Sequence, residues 1–166
     1  MNIKEHQRWV KDNGDKTKRL EYDLNSHSVV FDIGGFKGDW TQQIFSRYNC
    51  EIYIFEPISK FYNDIKRRFV GKNKIKIFNF GLDKIDKGID IFNSNDSSSV
   101  FNKTGSAEKI QLKDIKNFCI DNKIKTIDLM KINIEGCEYD LLDRIVYEFK
   151  ELKIKNIQKK IALKIK

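Results

Sequence analysis

Two carboxylates and three glycines are spaced to hold a ligand that carries adenosine. Residues 29–38 read V-V-F-D-I-G-G-F-K-G, and Glu56-Pro57 closes the next apolar run. An apolar strand ending in an acid, a glycine-rich turn, and a second acid at the tip of the following strand is how a doubly wound α/β sheet binds such ligands. Gly34 and Gly35 let the backbone turn tightly and approach a ligand where a Cβ would collide. Gly38 lets the next helix pack near the strand. Glu56, at the second strand tip, is placed to accept hydrogen bonds from both ribose hydroxyls.

The order of these residues favours S-adenosylmethionine over a dinucleotide. A nicotinamide fingerprint, G-x-G-x-x-G, brings a pyrophosphate onto a helix N-terminus. Here the order is D-x-G-G-x-x-G, with Asp32 just ahead of the turn. An anionic Asp32 repels a pyrophosphate but suits the cationic amino end of S-adenosylmethionine, directly or through water.

The elements that must position these groups follow from patterning. Residues 28–33, 51–55, 74–79 and 127–134 are apolar and β-branched, as strands buried on both faces are. Residues 39–48 and 58–69 have helical periodicity, with Phe61, Ile65 and Phe69 at spacing four. Residues 88–93 alternate like an antiparallel strand, followed by a polar turn and a second short strand. Helices are predicted at 112–122 and 137–149, and one more strand at 152–157. The β-α-β-α-β alternation gives a mostly parallel, three-layer Rossmann-like α/β sheet. Residues 1–27 form a lead-in, 28–158 the domain and 159–166 a basic tail.

At 166 residues the chain is one domain by length. The net charge of +8 invites a nucleic-acid reading. Its lysines are spread along the whole chain, however, without an arginine cluster among aromatics, so no nucleic-acid partner is expected. Cys50, Cys119 and Cys137 are isolated from each other and from histidine. They read as buried thiols in a reducing compartment, and no metal site is expected. The start lacks an apolar signal core and no stretch approaches a membrane span, so a cytoplasmic protein is expected.

Ligands of such sheets sit outside the carboxyl ends of the strands. The strand-end residues are Asp32, Gly34, Gly35, Glu56, Pro57, Gly81 and the run Asn133-Ile134-Glu135-Gly136. Asp83, on the loop after Gly81, would reach the adenine amino group. Ser97, Ser98 and Ser99 would fold over the same end. Phe36 and Trp40, at helical spacing, read as core side chains more than as stacking platforms.

These motifs, D-I-G-G-F-K-G-D-W, F-E-P, N-D-S-S-S-V-F and above all I-D-L-M-K-I-N-I-E-G-C-E-Y-D-L-L, resemble the FkbM-like methyltransferases. The hallmark of that family is a strand reading K-I-D-x-E-G-A-E. The resemblance implies a class I methyltransferase fold, S-adenosylmethionine as cofactor, and O-methylation of a hydroxyl on a sugar or other small molecule. It also implies that Asp32, Gly34 and Gly38 contact the methionine and adenosyl portions, that Glu56 holds the ribose, and that Ser98 belongs to the family's serine loop.

Two departures accompany it. The family's aspartate is Asn133 here, which keeps hydrogen bonding but loses charge and basicity. Glu135 is then the candidate base for the acceptor hydroxyl, with Asn133 orienting; a helix-end acid stabilised by the dipole is the competing role for Glu135. The chain also stops where the family continues into a further helix and a closing strand pair, so the last strands are expected to be missing. An uncovered fifth-strand edge would favour a homodimer. The alternative reading is a truncated, inactive module that binds an adenosyl cofactor or a partner.

Overall fold

Strand residues that alternate between two buried faces define the centre of the molecule. The computed structural model describes residues 19–94, 97–99, 107–134 and 138–159. It runs β1 (Val29–Ile33), α1 (Asp39–Tyr48), β2 (Glu51–Phe55), α2 (Ser59–Arg68), β3 (Ile75–Phe78) and β4 (Gly81–Asp83). There follow β5 (Lys87–Ser94), β6 (Ser97–Ser99), β7 (Ala107–Asp114), α3 (Ile115–Asp121), β8 (Thr126–Ile127) and β9 (Leu129–Ile132). Last come α4 (Glu138–Asp143), a π-helical turn (Arg144–Glu148), β10 (Lys153–Ile154) and β11 (Ile157–Lys159).

The main sheet has the order β11-β9-β1-β2-β3, and every pairing in it is parallel. Side chains of successive residues go to opposite faces. Val30, Ile52, Ile54 and Leu129 pack with Ile44 of α1 and Ile65 of α2 on one side. Phe31, Ile33, Tyr53, Phe55, Met130 and Ile132 pack with Phe118 of α3 and Leu141 of α4 on the other. The three-layer α/β architecture expected from the sequence is the one observed.

The region after β3 differs from expectation. A helix was predicted over 112–122, but Leu112, Lys113 and Asp114 belong to β7, and α3 begins only at Ile115. The cause is a period of two: Ile110 and Leu112 are buried, while Lys109, Gln111 and Lys113 are exposed. β7 pairs parallel with β4 and antiparallel with β5, giving a second sheet ordered β4-β7-β5-β6. Ile58, Ile91, Ile110 and Leu112 fill its core.

Both later strands are broken. Residues 127–134 split into β8 and β9 at Asp128, whose Oδ2 accepts the Val29 N–H at 2.8 Å. Residues 152–157 split into β10 and β11, where Asn156 Nδ2 donates to the Asp128 carbonyl at 3.0 Å. The basic tail expected from residue 159 begins inside β11. Of the predicted helix 137–149, Cys137 lies outside the described residues, and the rest divides between α4 and the π-helical turn.

Two anchors fix the layers. The lead-in is strapped to α1 and β11: Tyr48 Oη donates to the Leu20 carbonyl at 2.8 Å, and Tyr22 Oη donates to Gln158 Oε1 at 2.9 Å. On the other face, buried Asp114 caps α3 by accepting the Lys116 N–H at 2.8 Å. Arg144 adds Nε and Nη2 contacts to the two Asp114 oxygens at 3.2 and 2.5 Å. Arg144→Ala leaves that carboxylate short of donors and is expected to destabilise the chain by about 2 kcal/mol, measured by urea unfolding.

Candidate functional site

The tips of β1, β2 and β9 are laced together by their own backbone. Gly34 N donates to the Phe55 carbonyl at 2.9 Å, Asn133 N to the Ile33 carbonyl at 2.9 Å, and Glu56 N to the Phe78 carbonyl at 3.0 Å. The chain leaves β1 through Gly34 at φ 82°, Phe36 at φ 51° and Gly38 at φ 77° before entering α1. Three left-handed residues in five make a turn that only glycine-rich sequence adopts readily.

Packing against the neighbouring strands demands these glycines. A Cβ on Gly34 would overlap the backbone carbonyl of Asn133, and one on Gly35 would overlap the Ile54 side chain. A Cβ on Gly38 would come within 2.9 Å of the Phe69 ring. The sequence reading assigned Gly34 and Gly35 to a tight turn and close approach of a ligand, and Gly38 to helix packing; in the structure the Asn133 carbonyl after β9, Ile54 of β2 and Phe69 at the end of α2 occupy the space a Cβ would take. Gly81 is similarly covered, with a Cβ there 2.7 Å from Leu112 and 3.7 Å from Pro57.

Glu56 is the pivot of the turn. It is buried, its Oε2 accepts the Phe36 N–H at 2.7 Å and its Oε1 accepts the Ile58 N–H at 3.0 Å. Phe36, in an uncommon conformation for a residue with a Cβ, is held there by this bond and by its ring against Phe61 at 4.5 Å between centroids. Asn79 Nδ2 donates to the carbonyls of Glu56 and Pro57, both at 3.1 Å, and so fixes the β2 tip to the end of β3.

Burial pushes the Glu56 carboxyl up to about 7, against the opposing pull of the Ile58 and Phe36 amides. Nearby Asp32 adds to the rise and Lys131 reduces it. The unfolded chain loses this proton near 4.5 and the folded chain near 7, so in between the native state binds more protons. Glu56 therefore weakens stability progressively as pH rises across that window, and its effect is constant above it. Relative to Glu56→Gln, the wild type is expected to lose about 2–3 kcal/mol between pH 4.5 and 7.5, read by urea unfolding along a pH series.

Asp32 lies on the α1 side of the sheet and is wholly buried. Its Oδ2 accepts the Thr41 hydroxyl at 2.6 Å, and its Oδ1 pairs with Lys131 Nζ at 2.7 Å. Lys131 also donates to the Gly34 carbonyl at 3.2 Å and sits 5.3 Å from the Trp40 ring centroid. The anion expected to meet a ligand's amino group is paired with a lysine of the same fold. Sequence reasoning passed over Lys131, although one signal was available. A lone lysine within the apolar run L-M-K-I faces a lone aspartate within V-F-D-I, and the two are register partners.

Asp83 is the last residue of β4, not of a loop, and is wholly buried. Its Oδ1 accepts the Lys84 N–H at 2.6 Å, while Lys87 Nζ lies 2.8 Å from Oδ2 as an ion pair without hydrogen-bond geometry. Ser97–Ser99 form β6, the outermost strand of the second sheet, with Ser98 paired to Asn93 of β5. The loop expected there is a strand because its backbone completes a hairpin. Glu135 and Gly136 lie outside the described residues.

Between the β1 and β9 tips, where the strand order reverses direction, opens a groove of about 400 Å³. Phe36, Lys37, Trp40, Lys131, Asn133 and Gln158 are among its lining residues. Trp40 is thus part of a ligand-accessible wall as well as a partner of the apolar layer beneath. Among the described residues, no helix is long and apolar enough to cross a membrane.

No curated protein and no solved structure matches the chain. Residues 32–163 match the family model of the Methyltransferase FkbM domain, a span that begins at Asp32 and takes in the β1, β2 and β9 tips, and the chain belongs to that family of methyltransferases.

Proposed function

We propose that this methyltransferase uses S-adenosylmethionine and transfers its methyl group to a hydroxyl of a sugar or other small molecule. The observation that carries the reading is Glu56: a nearly buried carboxylate at the β2 tip, locked to a left-handed turn at the sheet's switch point. Switch points are where open α/β sheets bind ligands.

The residues suit such a cofactor. A carboxylate offers about four acceptor positions, of which Glu56 gives two to amides, so two stay for a ribose diol. The groove volume lies within the roughly 300–1,000 Å³ typical of small-molecule sites. Gly34, Gly35 and Gly38 would form the floor under the adenosyl and methionine portions, with Pro57 and Gly81 closing the β2 and β4 side. Asp32 would contribute by holding Lys131 and Thr41, and Asp83 and Ser98 would serve the adenine and closing ends. When bound, S-adenosylmethionine supplies an electrophilic methyl on a sulfonium.

The chain's own task is alignment and proton removal. Asn133, fixed to β1 through its backbone N–H, would orient the acceptor hydroxyl in the groove. Glu135, two residues on, would take the hydroxyl proton. Ribose hydroxyls donate to the ionised form of Glu56, so cofactor affinity should rise as pH passes through about 7.

Incubation with methyl-labelled S-adenosylmethionine and a panel of saccharides tests the reading. Alkali-stable label on an acceptor is the expected result, since methyl ethers survive base and methyl esters do not. Alkali-labile label alone would point to a carboxyl acceptor and overturn the hydroxyl assignment.

A further inference from the structure

The last turn of α2 and the turn after it gather positive charge around a bare apolar tip. Residues 66–74 read K-R-R-F-V-G-K-N-K, five cations with no carboxylate among them. Lys66, Arg67 and Arg68 stand in the last turn of the helix, where its dipole takes up only about half a charge. Arg67 pairs with Asp64 and Arg68 with Asp39, each at 2.5 Å. Lys74 donates to the carbonyls of Ser26 and Asn49 at 3.0 and 2.9 Å, neutral acceptors that leave its charge in place. Lys66 and Lys72 are exposed and have no carboxylate partner among the described residues. Their ammonium groups stand 5.7 Å from the Tyr62 ring centroid and 5.9 Å from that of Phe45, contacts that leave each of them charged. Two carboxylates therefore offset five cations.

Val70 stands in the middle of this charge with 77% of its surface exposed. A single exposed valine is ordinary on a protein surface. This one is followed by Gly71 at φ 78°, where a Cβ would meet nothing within 4 Å, so the turn stands clear of its surroundings. An apolar tip among lysines suits an anionic bilayer. The valine enters the boundary between headgroups and acyl chains, and the lysine stems lie along it with their ammonium groups at the lipid phosphates. A nucleic acid is the poorer fit. Both arginines already hold carboxylates, and the valine tip offers neither a ring to stack on a base nor a donor to a base edge. The same surface also reaches the groove, because Arg68 Nη1 donates to the carbonyl of groove-lining Lys37 at 2.6 Å.

We infer that the chain docks on an anionic membrane surface through Val70, with Lys66 and Lys72 as its main electrostatic contacts. The inference goes beyond the proposed methyl transfer and does not depend on it.

Cosedimentation of the full chain with vesicles is the test. The chain is expected to bind vesicles of phosphatidylcholine mixed with phosphatidylglycerol, to leave pure phosphatidylcholine vesicles alone, and to be released as salt rises. Each lysine near such a surface is worth about fivefold in partitioning, so a Lys66→Gln, Lys72→Gln double variant should bind at least about tenfold more weakly. Both positions are exposed, and circular dichroism checks that the variant is folded. Val70→Trp reports insertion: its added fluorescence should be quenched when brominated lipid is included in the anionic vesicles. No binding to anionic vesicles, equal binding to both kinds, or full binding by the folded double variant would overturn the inference. So would an absence of quenching, since adsorption by charge alone leaves the tip in water. Binding of a duplex oligonucleotide without binding of vesicles would reassign the patch to nucleic acid.

Discussion

Gly34→Ala is expected to abolish cofactor binding and to destabilise the fold by about 3–4 kcal/mol. Two effects combine. The φ of 82° is left-handed, which costs an alanine roughly 1–2 kcal/mol. The added Cβ also overlaps the Asn133 carbonyl and lies 3.2 Å from Ile134 Cγ2, so β1 and β9 must separate at the tips where the site is built. Gly71→Ala isolates the first effect, because Gly71 has φ 78° with nothing within 4 Å of a Cβ. It should cost only the backbone penalty and leave affinity unchanged. Urea unfolding and calorimetry on both variants read the two contributions separately. Equal behaviour of the two variants would mean that the Gly34–Asn133 contact carries no weight.

That pair of glycines shows where sequence is informative and where it stops. Gly34 is conspicuous in D-I-G-G-F-K-G, but its neighbour Asn133 is nearly a hundred residues away, and only the folded sheet brings them together. The strands 51–55 and the helix 39–48 were legible to the residue, because burial on both faces and a clean helical period each leave one solution. The stretch 107–114 was not, since K-I-Q-L-K-D is short and its alternation runs straight into the α3 pattern. Asp128 and Asn156 likewise broke two expected strands by hydrogen bonding across to neighbours that no local rule identifies. Glu56 was placed correctly at its strand tip, yet its grip on the Phe36 amide depends on a turn conformation that spacing does not encode.

Lys131→Met should have the second large effect, a loss of about 3–5 kcal/mol. Lys131 is the only charged partner of Asp32 among the described residues; Asp32 has no exposure, and Thr41 alone cannot balance a buried carboxylate. The β1–β9 turn would suffer too, because the same ammonium donates to the Gly34 carbonyl. Adding Asp32→Asn to Lys131→Met removes the uncompensated charge and should recover more than half of the lost stability. A double-mutant cycle in urea measures this directly. Additive effects of the two substitutions would show that the pair is not coupled as its geometry requires.

The proposal that the Gly34–Glu56 turn binds an S-adenosyl ligand is tested most directly by calorimetric titration of the purified chain with S-adenosylhomocysteine at pH 8, beside Glu56→Ala. Micromolar binding by the wild type, lost in a variant that remains folded, is the expected result. A folded wild-type chain that takes up no S-adenosylhomocysteine, or a Glu56→Ala chain that binds it equally well, would contradict it.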